Sequence, residues 1–522
     1  MLKEIAYYSR MAWGYARWRR AGVYRDPDRV VAESLAHREE RFVTLMQRAV
    51  FANPRSPYHS LFAWAGCTQA DLASMVRREG LEASLRILLD SGVYLTHDEF
   101  KGKTPVVRGS NTLLVDSGDL ANPSVDGLLG TSSSGSRSSG TTTMRSVEYQ
   151  KYREAQLCVL LKDFELDRRQ VVFLGAILPG DGGLRRIFAE GMRGKTVAAW
   201  FTQGGESFAY RWMTAALLTE FQLLGLPIKR PVYLPHNDYS PVAHWIAKRK
   251  REGIPVAVFG GVSQGVRVAV TARELGLDIS GTTFRLGGEA LTDAKLEAVR
   301  AAGCEAWARY TISELGPVGA SCPEMAGNCV HICRDSAAVI SRRRKAPLTD
   351  VDVDSLLFTT LLPEAATVVV NVEMDDAGEI GPARCGCHMK RMGFDTQIDK
   401  LYSYGKLTGQ GTTLIGGDVL ELLERRLPLR FGAAPGDFQL VEREGNGQTE
   451  IELRVSPRVK GASEGAVKEY FLEELRRMWT GSLTARMWQH SEAIHVVIAE
   501  PHVTAGRKVH ALHLIGNRNA KN

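Results

Sequence analysis

Nowhere in the 522 residues does an uninterrupted apolar run approach the roughly 18 residues that a spanning helix needs, which argues against an integral membrane protein. The amino-terminal stretch MLKEIAYYSRMAWGYARWRRAG interleaves aromatics with Arg and Lys and lacks the continuous apolar core of a signal peptide. It reads as a mature cytoplasmic start, and an amphipathic helix docked on the fold is expected there in preference to a membrane-surface anchor. No charge of one sign dominates: 66 Lys+Arg against 59 Asp+Glu leaves +7, too mild over so large a surface to call for a nucleic-acid partner, and none is expected. Internal repeats are also missing. With 44% hydrophobic and 24% charged residues, global disorder and collagen-like repetition are excluded. At roughly 100 to 200 residues per domain, the length leaves room for two to four well-buried cores.

Cysteine is not scarce. Of the eight, Cys304, Cys322, Cys329, Cys333, Cys385 and Cys387 fall in one short interval, the others being Cys67 and Cys158. In a chain read as cytoplasmic, such clustering favours metal binding over disulfides. Along the chain, residues 1–100 alternate apolar and charged positions at helical spacing, as in LEASLRILL from Leu81, and form a helical prologue. From about residue 170, β-rich runs (171–178, 255–261) alternate with amphipathic helices (264–276, 293–302), the pattern of an α/β sheet with covering helices. Thr292 is placed to cap the second of those helices. Near residue 404 a Gly-rich stretch, YGKLTGQGTT, introduces helix 414–427, strand 450–455, helix 464–479 and strand 494–499. The expected architecture is therefore a large amino-terminal α/β domain, 1–403, joined by a glycine-containing hinge to a small mobile α+β domain, 404–522.

Three segments carry chemistry. TSSSGSRSSGTTT (131–143) supplies hydroxyls, a guanidinium and a backbone whose N–H groups can converge on a polyphosphate; a Ser/Gly linker would look similar. RLGGEAL (285–291) and ARYTISELG (308–316) follow. In order, the three resemble core motifs of the adenylate-forming (acyl-CoA synthetase) superfamily: the Ser/Thr/Gly phosphate loop, the Gly-Gly-Glu turn and the Tyr-Gly-x-Thr-Glu motif. LLFTTLLPEAATVVV (356–370) is similar to a strand of the phenylacetate–CoA ligase-like branch.

The resemblance implies an ATP- and Mg²⁺-dependent ligase that adenylates a small-molecule carboxylic acid. The acyl group then passes to CoA or to another nucleophile, an amine or a carrier-protein thiol; a weakened nucleotide-binding protein is a further alternative, and a homodimer is compatible with each. By the same resemblance Ser134, Gly135, Ser136, Ser139, Gly140 and Thr141 would hold the ATP phosphates, and Gly287, Gly288, Glu289 and Tyr310 would flank the adenine. Ser313 would contact the α-phosphate and Glu314 would hold Mg²⁺. Asp375 matches the ribose-binding aspartate, with Asp376 as a rival. Lys406 stands in the hinge where Arg is customary, and Lys508 is preferred to Arg507 as the catalytic cation of the small domain. The loop departs from the usual motif at Arg137, Ser138 and Gly140. Some members of the branch carry cysteines in corresponding places, so Cys322, His331, Cys385 and Cys387 would form a closed structural Zn²⁺ site. Cys329, Cys333 and His388 compete as ligands, and buried free thiols are the alternative. The acid pocket is expected between about 175 and 265, where Phe201, Phe208, Tyr210, Trp212, His236 and Trp245 would be its walls or ordinary core.

Overall fold

The computed structural model describes residues 2–132, 142–175, 182–202, 208–235, 238–345, 352–403, 408–409, 412–413, 416–445, 448–477, 494–503 and 509–515. Its centre is a twelve-stranded sheet of two unlike halves. From one edge, strands Val232–Tyr233, Ala199–Thr202, Gln170–Leu174, Val256–Gly261, Thr283–Gly287 and Glu305–Ile312 run parallel. Beyond them Gly316–Ala320, Val330–Ile332, Thr396–Ser403, Val372–Pro382, Asp352–Thr360 and Ala337–Lys345 continue antiparallel. The parallel strands are apolar on both faces because helices cover both, as crossover connections require. On one face Val258, Phe284 and Leu286 pack with helices Ser240–Arg251, Val262–Glu274 and Asp293–Arg300. On the other, Phe173, Trp200 and Phe259 meet helix Gly182–Met192 and helix Phe208–Leu223.

The amino-terminal helix, Leu2–Ala21, docks on that second layer through Met11, Tyr15 and Trp18, with the Tyr15 and Phe188 rings 4.8 Å apart. Burying Tyr15 and Trp18 contributes roughly 1.5–3 kcal/mol each, ample reason for this helix to lie on the fold. Among the described residues no helix is long and apolar enough to cross a membrane. The rest of the prologue is helical as expected, and its apolar faces cover the antiparallel half through Phe42, Leu61, Leu85 and Leu88.

A smaller carboxy-terminal domain has its own core of Leu422, Phe438, Leu453 and Phe471 around a four-stranded sheet. Strands Gln448–Val455 and Ile494–Ile498 and helix Glu464–Arg477 agree with the sequence reading, whereas strands Phe438–Gly445 and Leu512–Ile515 were not anticipated. The helix expected over 414–427 is broken into Gly416–Glu421, a wider π turn over Leu422–Arg426, and Leu427–Phe431.

Thr292 has the backbone of an N-cap, but its side chain makes no capping hydrogen bond. Its hydroxyl is drawn instead to Glu424 of the small domain, a tertiary partner that outcompetes the local one. Glu424 also pairs with Lys295 at 2.7 Å, with both side chains almost wholly buried. Burial alone would lower the Lys295 ammonium, but Glu424 and Glu289 more than offset it and hold it up. A second bridge, Arg267 to Asp437, joins the same two domains. Lys295→Met should therefore leave a buried carboxylate uncompensated and cost about 3–5 kcal/mol, read as a lower urea midpoint. An unchanged midpoint would show that this pair does not form in solution.

Candidate functional site

The change from parallel to antiparallel falls at strand Glu305–Ile312, which turns through 313–315 into Gly316–Ala320. Three side chains grip that turn. Tyr149 Oη donates to Leu315 O at 3.1 Å and Arg145 Nη2 to Ser313 O at 3.0 Å, while Lys101 Nζ meets Glu314 Oε1 at 2.7 Å. Gly316 has φ +94°, and a Cβ there would come 2.1 Å from Tyr149 Oη, so only glycine closes the turn. Arg145 ends strand Thr142–Arg145, which pairs with Leu129–Ser132 to make the base of the Ser/Thr/Gly hairpin. Thus the base of that hairpin is bonded to the turn bearing Ser313 and Glu314. Ser134, Gly135, Ser136, Ser139, Gly140 and Thr141 lie outside the described residues.

Beside the turn a cavity of about 200 Å³ opens between the large sheet and the small domain. Gly288, Glu289, Tyr310 and Asp376 line it from one side, and Val509 to Leu512 from the other. Gly288 needs its φ of +86° to turn the chain, and Glu289 is held by the Ser263 hydroxyl. Ser263 Oγ also lies 3.0 Å from Val509 O, tying the small domain to the same corner. Tyr310 Oη donates to Asp376 Oδ2 at 2.6 Å; burial first, then that carboxylate, keeps the phenol well above its ordinary pKa. Gly287 sits one residue back, where a Cβ would meet Arg309 O at 2.8 Å.

Of the two aspartates weighed from the sequence, Asp376 faces the cavity, while Asp375, at φ +59°, has Oδ2 3.5 Å from His97 Nδ1. Lys406, Arg507 and Lys508 lie outside the described residues; Val509 and His510, which follow directly, line the cavity. Lys101 was not singled out from the sequence. Its contact with Glu314 spans 213 positions, and no local pattern announces it.

The cysteine interval resolves into one cluster. The donor atoms of Cys322, His331, Cys385 and Cys387 all lie within 4.8 Å of one another. His331 Nδ1 donates to Phe394 O at 2.7 Å, which leaves Nε2 as the lone pair, 3.3 Å from both Cys385 Sγ and Cys387 Sγ. Burial lowers the pKa of His331 and raises those of the Cys322 and Cys387 thiols. Arg285 adds an independent sign: it is fully buried, gives Nη1 to Ser321 O at 2.9 Å, and has Nε and Nη2 without partners. A site of three thiolates, one imidazole and a divalent cation carries one net negative charge, which suits an orphaned guanidinium beside Cys322. The rival ligands stand apart: Cys329 faces Asp399, Cys333 is buried, and His388 Nε2 lies 3.4 Å from Asp28.

Among the described residues, the aromatics offered as acid-pocket walls do not gather. Phe201 belongs to the sheet core, Trp245 packs against that core, and Trp212 is 65% exposed. The side chains of Phe208, Tyr210 and His236 lie outside what is described.

No family profile matches this sequence, and no curated protein does. Among solved structures, similarity is found to the o-succinylbenzoate coenzyme A synthetase of Bacillus subtilis in complex with AMP, at 11% identity over 74% of this chain and 68% of that one, TM-score 0.40. The amide bond synthetase McbA of Marinactinospora thermotolerans is 13% identical over 96% and 98% of the two chains, TM-score 0.38. A benzoate CoA ligase of Burkholderia xenovorans is 12% identical over 91% and 92%, TM-score 0.41. These are weak likenesses, and the function is read from the chain's own residues.

Proposed function

We propose that the protein is an adenylate-forming acid ligase of the acyl-CoA synthetase superfamily, joining a carboxylic acid to ATP as acyl-AMP and then passing the acyl group to an acceptor. The observation that carries this reading is convergence. Gly288-Glu289, Tyr310 with Asp376, and the Val509–Leu512 segment meet at one interdomain cavity, next to a turn that binds the base of the Ser/Thr/Gly hairpin. Three motifs spread over some two hundred residues would have no reason to meet if each were ordinary packing.

In this reading a carboxylate oxygen of the acid attacks the α-phosphorus, the bond to pyrophosphate breaks, and the acceptor later displaces AMP from the acyl carbon. Tyr310 and the Gly288-Glu289 turn flank the base, and Asp376, preferred here to Asp375, accepts from the ribose hydroxyls. The hairpin 131–143 receives the phosphates and Ser313 the α-phosphate. Mg²⁺, when bound, neutralises charge on the departing pyrophosphate, and Glu314 would be its protein ligand after exchanging Lys101. Lys508 supplies the cation of the small domain, which turns about the hinge near 404–410 between the two half-reactions. CoA is the proposed acceptor, with an amine or a carrier thiol as the alternative. Acid-dependent release of pyrophosphate and AMP from ATP across a panel of carboxylic acids tests the first half-reaction; release of ADP and phosphate instead would contradict it. Product mass with CoA or amines tests the second.

We further propose that Cys322, His331, Cys385 and Cys387 hold a structural Zn²⁺ that pins strand Val330–Ile332 to the Cys385–Cys387 segment. Purified protein should contain about one zinc per chain, and Cys385→Ser should lower both zinc content and melting temperature, because binding energy at such a site is folding energy. Metal analysis that finds no zinc without chelator treatment would return these residues to free thiols.

A further inference from the structure

Two arginines, Arg309 in the cavity wall and part-buried, and Arg186, buried, keep hydrogen-bonding capacity unspent. Register aligns Gly261, Gly287 and Arg309 across three adjacent parallel strands, so Arg309 rises beside two positions that have no side chain. Its Nη2 reaches Gly260 O only at 3.4 Å, and its Nε is buried without a partner. Arg186, on helix Gly182–Met192 and nine-tenths buried, gives Nη2 to Glu190 at 2.7 Å but leaves Nε and Nη1 unpartnered. Both guanidinium groups lie against the Phe259 ring, at 4.7 Å for Arg186 and 6.0 Å for Arg309.

Among the described residues the local charge does not balance. Glu190 is shared between Arg186 and Arg193, and Glu154 is taken by Arg193 at 2.6 Å, so neither carboxylate is left for Arg309. Burial, then Arg186 and Arg153, holds Arg309 down to about 10. A guanidinium that keeps a buried N–H without an acceptor is costly for a fold, and one way to offset the cost is a bound anion. Position supports this. Strands Gln170–Leu174 and Val256–Gly261 are sheet neighbours from which the chain departs in opposite directions, and crevices at such switch points are where α/β sheets take ligands.

We propose that Arg309 and Arg186 bind a second anionic group of the acid, so that the substrate is a carboxylic acid carrying another negative charge: a dicarboxylate, or a carboxylate with a sulfonate or phosphate. This rests on the acid-ligase reading above and specifies its substrate class. The guanidinium fork suits such groups through paired N–H donors.

The test pairs each monocarboxylic acid with the same skeleton bearing a second carboxylate, sulfonate or phosphate, in acid-dependent ATP–pyrophosphate exchange and, without ATP, in thermal shift. Wild type should favour the dianions by at least about tenfold in kcat/KM, and Arg309→Met and Arg186→Met should each reduce that ratio by about tenfold or more. Dianions alone should raise the melting temperature of wild type and not of Arg309→Met. Because the charge removed has no carboxylate partner among the described residues, Arg309→Met should melt no lower than wild type; a clear drop would mark a structural arginine and overturn the proposal. Arg309→Lys, which keeps the charge and loses the fork, should give an intermediate ratio. Exchange with monoanions as good as with dianions would also overturn it while sparing the ligase reading, as would variants that raise KM for ATP without changing the ratio. Arg309-dependent dianion binding with no exchange for any acid would uphold the anion site and refute the ligase. Neither binding nor exchange would refute both.

Discussion

Glu314→Gln is expected to lower acid-dependent pyrophosphate release by about a thousandfold or more, without loss of folded protein. The amide keeps the size of the carboxylate and removes its charge, so the turn over 313–315 keeps its hydrogen bonds from Arg145 and Tyr149 and gains no cavity. Lys101 loses its counter-charge but is itself part-exposed and can turn to water. What disappears is the one carboxylate of the turn, and with it the proposed anchor for Mg²⁺ where negative charge accumulates in the transition state. Glu314 is paired with Lys101, so as a Mg²⁺ ligand it would exchange an ammonium for the metal. Pyrophosphate release at the wild-type rate by folded Glu314→Gln would remove the assignment of the Tyr310–Glu314 motif.

Lys508→Ala should slow adenylation by several orders of magnitude while leaving acyl transfer from a chemically supplied acyl-adenylate much less affected, because in the proposed scheme the small domain turns between the half-reactions and presents Lys508 only in the first. The neighbouring backbone is anchored at the cavity through Val509 O and Ser263 Oγ. Arg507→Ala should act more weakly, since one loop geometry delivers either a point charge or a planar fork but not both. The reverse ranking would transfer the catalytic role to Arg507. Small and equal effects would favour a nucleotide-binding protein with little ligase activity.

The parts of this picture that could be read from sequence are those whose chemistry fixes residue type at close spacing. The Gly-Gly-Glu turn requires a positive φ at Gly288, and the Tyr310–Glu314 segment packs a phenol, a hydroxyl and a carboxylate into five residues. Alternating β and α periodicity likewise exposed the parallel half of the sheet. The choice between Asp375 and Asp376 was not legible, because it depends on a left-handed residue. Asp375 at φ +59° lies where the strand's pairing register slips against Asp352–Thr360, so a period of two cannot be counted through it. Thr292 was legible in part: it is the N-cap of its helix, but its hydroxyl goes to Glu424, 132 residues away.

The cysteine interval pointed toward metal binding, and the four residues that the resemblance named are those whose donor atoms the fold gathers, with His331 meeting Cys385 and Cys387 across more than fifty residues. Arg309 was not legible, because Glu305 and Glu314 flank it in the sequence and only the fold pairs them with Arg300 and Lys101 instead.

The account turns on a carboxylate oxygen of the acid becoming bonded to the α-phosphorus of ATP. The most direct measurement uses an acid that supports pyrophosphate exchange, labelled with ¹⁸O in the activated carboxylate, under complete turnover with acceptor. One labelled oxygen recovered in AMP, with none in pyrophosphate, is the predicted result. Label retained in the acyl product and its by-products, with unlabelled AMP, would mean that no acyl-adenylate forms and would contradict the central claim.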